Sequence, residues 1–181
     1  MSRKKNPVTA GEFLRQLSQN PEFVRRQQAR EQKHAEEVAK LRAEIKPEQD
    51  PLLAELAQVG FPVTSVWDLV NTKRKYPAAI PILVKYLRTA RHPVFREGLA
   101  RAMTVPEARG TPAKEILIEL MRRADEPRNE ARWALANALP TAGDASMREA
   151  IEALIADSRY DDLHETLKLV LIKIALRGPR P

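Results

Sequence analysis

One eight-residue pattern is written three times: REGLARAM at 96–103, RWALANAL at 132–139 and HETLKLVL at 164–171. Each octet opens on Arg96, Arg132 or His164, places Leu99, Leu135 or Leu167 three residues on, and closes on Met103, Leu139 or Leu171 after four more. Steps of three and four put these side chains on one face of a helix. Ahead of each octet runs an apolar segment, AIPILVKYL, AKEILIELM or MREAIEALI. There Ile82, Ile116 and Ala150 align at steps of 34, and so do Leu83, Leu117 and Ile151. The octets step by 36 and then 32, so the two-residue difference belongs to the turns, where length is tolerated. A chain written this way is expected to fold as successive helix pairs, each too apolar to stand alone and each burying its seam on its neighbours.

An earlier, degenerate pair is expected from LLAELAQVG and VTSVWDLVN, with Leu52, Leu53 and Leu56 on one helix and Val63, Val66, Trp67 and Val70 on the other. No run of alternating β-branched residues is flanked by hairpin turns, so the class is all-α. Glycine and proline punctuate the helices. Gly60, Gly110 and Gly143 follow amphipathic runs, where a left-handed cap is expected. Pro21, Pro51, Pro77, Pro93 and Pro112 stand near helix starts, with Asn20, Asp50 and Thr111 as N-caps.

Residues 1–50 read as an N-terminal helical arm, partly ordered, and 51–181 as the repeat domain. In the arm, Thr9 and Glu12 form a capping-box pattern, and Phe13, Leu14 and Leu17 offer a small docking face. Residues 25–34 are polar on nearly every side and have little to bury. Val38, Leu41 and Ile45 make a stripe too short for a coiled-coil seam. With 11 basic against 8 acidic residues over 1–50, a net +3, the arm is no basic nucleic-acid tail.

The whole chain of 181 residues carries a formal charge of +7, with 31 basic residues interleaved among 24 acidic ones. That balance favours anionic partners without singling out nucleic acid. There are no cysteines, which excludes disulfides, thiolate metal sites and thiol nucleophiles and makes a reducing cytoplasm the expected compartment. Neither a signal peptide nor a membrane span is legible. His34, His92 and His164 lack metal-ligand spacing, and there is neither a Gly-rich phosphate loop nor a nucleophile elbow. No catalytic, cofactor or metal residue is therefore expected.

The Arg-x-x-Leu-x-x-x-Leu/Met second helix, preceded by an apolar first helix, resembles HEAT-type helical repeats, close to the short bacterial kind of phycocyanobilin-lyase-like proteins. The resemblance covers roughly residues 51–176, and SVWDLVN followed by YPAAIPILVKYL is similar to uncharacterised bacterial HEAT-repeat proteins. It implies a right-handed α-solenoid of about three to four helical hairpins that acts as a rigid scaffold, binding another macromolecule through its concave face. The Asp such repeats place before the second helix is matched by Asp125, whereas Arg91 and Asp157 stand near the equivalent points of the other repeats.

Candidate contact residues follow from the second helices: Arg96, Arg101, Arg132, Trp133 and His164. Arg96, Arg132 and His164 share one repeat position and fit two readings, a row of cations facing a ligand or side chains that bond turn carbonyls or an Asp of the neighbouring repeat. Trp133 lies out of line with Leu135 and Leu139 and is the better candidate of the two tryptophans for exposure, with a core position as the other reading; Trp67 lies in an apolar stripe and reads as packed. Arg88, Arg91, His92, Arg122, Arg123, Arg128 and Arg159 gather at turns among Asp125, Glu126, Asp157, Asp161 and Asp162. NTKRKYP holds the densest basic run outside the N-terminus. A protein partner is the first expectation. A nucleic-acid-binding solenoid, a HEAT-type alkylpurine DNA glycosylase and a bacterial immunity-like protein are the alternatives.

Overall fold

The computed structural model describes residues 9–123 and 130–177. Asp125, Glu126 and Arg128, and the side chains of Phe13, Leu14 and Leu17, lie outside that set. Every regular element among the described residues is helical, so the all-α class stands. The helices are α1 (Ala10–Gln19), α2 (Pro21–Gln58), α3 (Val66–Val70), α4 (Ile80–Thr89), α5 (Pro93–Ala102), α6 (Ala113–Arg122), α7 (Glu130–Ala142), α8 (Arg148–Ile155) and α9 (His164–Ala175). Two compact units divide the chain, Met1–Glu44 and Ile45–Pro181.

In the first unit, the capping box forms as its spacing predicts. The Thr9 N–H donates to Glu12 Oε2 at 3.0 Å, and the Glu12 N–H donates to Thr9 Oγ1 at 3.3 Å. The Thr9 N–H bond, with a second from the Thr9 hydroxyl at 2.9 Å, holds the Glu12 carboxyl below its ordinary pKa. Asn20 then starts α2 by accepting from the Glu22 and Phe23 N–H groups. Residues 22–44 gain from pairs one turn apart, Glu22 with Arg26, Lys33 with Glu37 and Lys40 with Glu44. Such pairs contribute about 0.2–0.5 kcal/mol each, which favours a helix even where burial is small.

The expected break at Asp50 and Pro51 is absent: α2 runs through both Pro47 and Pro51. Each interior proline forfeits a backbone hydrogen bond and costs about 3 kcal/mol. Tertiary contacts offset the cost. Glu48 accepts the Arg91 N–H at 2.8 Å and the His92 N–H at 3.1 Å, capping the start of α5, while Gln49 accepts from Ser65 Oγ at 3.2 Å and the Val66 N–H at 3.3 Å. Leu52 and Leu56 are fully buried. The helix ends at Gly60, whose φ of 84° lets the Gly60 and Phe61 N–H groups return to the Ala57 and Leu56 carbonyls in a left-handed cap. Asp50 is thus an interior helical residue, paired with Lys46 at 2.6 Å.

Beyond α3 the second unit is built as pairs: α4 packs on α5, α6 on α7 and α8 on α9. Pairs also meet their successors, with α3 on α5, α5 on α7, α7 on α9, and α4 on α6. The aligned residues land in equivalent environments. Leu83, Leu117 and Ile151 of the first helices and Leu99, Leu135 and Leu167 of the second are all 0 % exposed. Burying a side chain of this size contributes roughly 1.5–3 kcal/mol, so the repeated positions carry the core.

Polar links join consecutive first helices. Lys85 Nζ and Tyr86 Oη donate to Glu55 at 2.6 and 2.8 Å, and Lys114 Nζ donates to Asp144 at 2.5 Å. Burial and the Glu55 carboxylate push the Tyr86 hydroxyl up to about 12. Gly143 departs from expectation, since its φ is not positive. A Cβ there would lie 2.5 Å from Met147 Sδ and 2.7 Å from the Leu139 carbonyl oxygen, so close approach is what requires glycine.

Candidate partner-binding face

The repeat position shared by Arg96, Arg132 and His164 sits at the start of each second helix. Arg96 donates through Nε and Nη2 to the Ala90 carbonyl at 3.2 and 2.5 Å, and His164 Nε2 lies 2.7 Å from the Ile155 carbonyl oxygen. Each of those carbonyls belongs to the end of the preceding first helix, where acceptors lack intrahelical donors. Arg132 is 5 % exposed, with its guanidinium carbon 4.2 Å from the centre of the Tyr160 ring. Tyr160 itself is buried and donates its hydroxyl to the Met121 carbonyl. Of the two readings open for this row, the geometry matches side chains that tie turn to helix.

Further along the second helices a different group faces outward. Trp133 on α7 is 45 % exposed, which decides between the two readings its offset from Leu135 and Leu139 left open. Arg101 on α5 sets its guanidinium carbon 5.1 Å from the Trp133 ring centre and 5.8 Å from that of Trp67 on α3. Both distances fall within cation–π range. Glu97, one turn earlier on α5, accepts from Arg101 Nε and Nη2 at 2.7 Å each and is itself only 12 % exposed. Arg101 is therefore charge-balanced, and what it adds to the surface is rigidity for two indoles.

An asparagine one turn on bonds the main chain at each tryptophan. Asn71 Nδ2 donates to the Trp67 carbonyl at 3.3 Å and Asn137 Nδ2 to the Trp133 carbonyl at 2.9 Å. The segments WDLVN and WALAN hold the same Trp and Asn one turn apart. Ser65 and Asp68 start α3 as a capping box, with Asp68 Oδ2 accepting from the Thr64 and Ser65 N–H groups. Gly98 lets α5 approach α3, because a Cβ there would meet Val66 Cγ1 at 2.6 Å and Trp67 Cε2 at 3.3 Å. Trp67, expected to be core, is half-buried and joins the cluster.

Beside Trp133 opens a recess of about 360 Å³, walled by Leu69, Val70, Tyr76, Val105, Ala134 and Asn137 among others. Tyr76 forms part of its floor. The hydroxyl donates to the Ala102 carbonyl at 2.8 Å, and burial, followed by the charge of Glu107, pushes its pKa up to about 12. It is a fixed hydrogen-bond donor, not an acid at neutral pH. Thr72, Tyr76 and Val105 also line a second recess of about 470 Å³, which continues to Lys73, Arg74, Lys75 and Glu107.

The other basic collection divides. Arg123 pairs with Glu119 at 3.1 Å and Arg159 with Asp157 at 2.6 Å, while Arg88, Arg91 and Arg122 are exposed. Among the described residues no group of three or more histidine, aspartate or glutamate side chains is gathered as a metal site, and no helix is long and apolar enough to cross a membrane. Sequence reasoning named Arg101 and Trp133 but left Trp67 and Glu97 out of the site. The Trp and Asn spacing shared by WDLVN and WALAN is the signal that could have found Trp67.

No family model matches the chain, and no curated protein or solved structure was found similar to it.

Proposed function

We propose that the chain is a non-enzymatic interaction module, a short right-handed HEAT-like stack of helical hairpins. It binds another protein through the outward face of its second helices, centred on Trp133 and Arg101. The observation that carries this reading is the exposed indole of Trp133, held by Arg101 at 5.1 Å and bordered by an apolar recess. A large aromatic left half in water gains free energy when a partner covers it, and a ring already fixed loses little entropy in doing so. Tryptophan and arginine are also the side chains in which binding energy concentrates. Arg96, Arg132 and His164 then serve the face by fixing the turns behind it.

Affinity capture from a bacterial lysate with the full-length chain, repeated with Trp133→Ala and Arg101→Ala, tests the proposal. At least one protein is expected to be recovered by the wild type and to fall about tenfold or more with Trp133→Ala, the effect of losing a contact worth about 1.4 kcal/mol or more. The melting temperature of Trp133→Ala should stay close to that of the wild type, because the side chain is exposed. Equal recovery of every partner by wild type and both variants would remove this face from consideration.

A further inference from the structure

We infer that the segment gripped by this face is an acidic peptide stretch carrying a bulky apolar side chain, an inference that rests on the interaction reading above. The two recesses share Thr72, Tyr76 and Val105, so they adjoin and offer unlike ends to one bound segment. At one end stand Trp133, Leu69 and Val70, an aliphatic and aromatic pocket of the size that accepts a leucine, methionine or phenylalanine side chain. At the other stand Lys73, Arg74 and Lys75, three consecutive exposed cations.

Among the described residues, none of the three has a carboxylate within ion-pair distance, and they stand together in one recess. Lys85, Arg101 and Lys114 are matched by Glu55, Glu97 and Asp144, whereas the basic end faces Glu107 as its one lining acid. The end keeps an excess of positive charge in a concave setting, where field lines concentrate. Arg74 is further steadied over the Phe61 ring at 4.3 Å. A segment with carboxylates a few residues from an apolar anchor satisfies both ends at once. Single-stranded nucleic acid fits less well. Arg101 lies over the Trp133 ring, 5.1 Å from its centre, on a face that a stacked base would need, and Leu69, Val70, Val105 and Ala134 line the recess beside it.

The test selects binders to the immobilised full-length chain from a displayed library of random twelve-residue peptides. Selected peptides are then titrated in solution against wild type, Trp133→Ala and the triple variant Lys73→Glu, Arg74→Glu, Lys75→Glu. Tryptophan fluorescence reports the site directly, since the chain has two tryptophans and both belong to the cluster. Peptides enriched in Asp and Glu around Leu, Met or Phe are expected, with binding reduced about tenfold or more in the triple variant and in Trp133→Ala. The triple variant changes exposed loop residues, and circular dichroism confirms its fold. Peptides that require Trp133 yet show no acidic bias and bind the triple variant equally would overturn the inference and leave the interaction reading standing. If no selected peptide depends on Trp133, the interaction reading falls as well. Displacement of bound peptide by oligothymidylate, at a concentration where oligothymidylate itself binds more tightly through Lys73–Lys75, would assign the site to nucleic acid instead.

Discussion

Asp144 shows how single side chains hold the recurring helices in register. Its Oδ1 accepts the Ser146 N–H at 3.0 Å to start the turn into α8, and its Oδ2 accepts from Lys114 on α6 at 2.5 Å. Lys114 first, then Ser146, depress the Asp144 pKa from 3.8 to about 2. A carboxylate depressed in the folded state stabilises fully above its unfolded pKa, and the contribution drains away as pH falls through the folded value. Asp144→Asn keeps a capping oxygen and loses the ion pair. Urea unfolding should therefore find the variant less stable than wild type at about pH 5, with the gap closing by about pH 2. The side chain is 42 % exposed, so the gap is expected to be small. A difference that widens on acidification would contradict the assignment. Residues of this kind were only partly legible. Thr9, Glu12 and Asn20 cap helices as their spacing predicts, but Asp144 gains its Lys114 partner from a neighbouring helix, and nothing in local sequence announces that pairing.

At the scale of elements, the repeated leucines were readable because a period survives in the sequence wherever burial is enforced at every turn of a helix. The boundary near residue 50 was misread as a helix start for the complementary reason. Asp50 followed by Pro51 is a strong local signal, and it is overruled by Glu48, Gln49, Leu52 and Leu56, whose contacts with distant residues keep the chain helical through the prolines. Two fragments separate local signal from tertiary contact. One beginning at residue 45 retains these ties and is expected to unfold cooperatively. One beginning at residue 51 leaves the Arg91, His92 and Val66 N–H groups without the Glu48 carboxylate and Gln49 amide oxygens that accept from them and should be less stable by about 1–3 kcal/mol. Comparison of their urea midpoints checks this; equal midpoints would mean that Glu48 and Gln49 contribute nothing measurable.

For the molecule as a whole, the second helices divide their labour between two levels. Arg96, Arg132 and His164 lie at the turns and the shared leucines lie in the core, while Trp67, Arg101 and Trp133 meet across three helices at the surface. The offset of Trp133 from the buried leucines is visible in one helix alone. The cluster is not, because it depends on how close α3 comes to α5 over Gly98 and where α7 then lies. A face assembled in this way belongs to no single repeat, which suits a role as a docking surface.

Site-specific photo-crosslinking tests that claim most directly. p-Benzoylphenylalanine is placed at Asn137, beside Trp133 on the second-helix face, and in a parallel chain at Glu119, exposed on first helix α6. After irradiation in bacterial cells, a covalent adduct with a protein is predicted for the probe at 137 and none for the probe at 119. Adducts formed at 119 alone, or at neither position while partners still co-purify, would contradict the account.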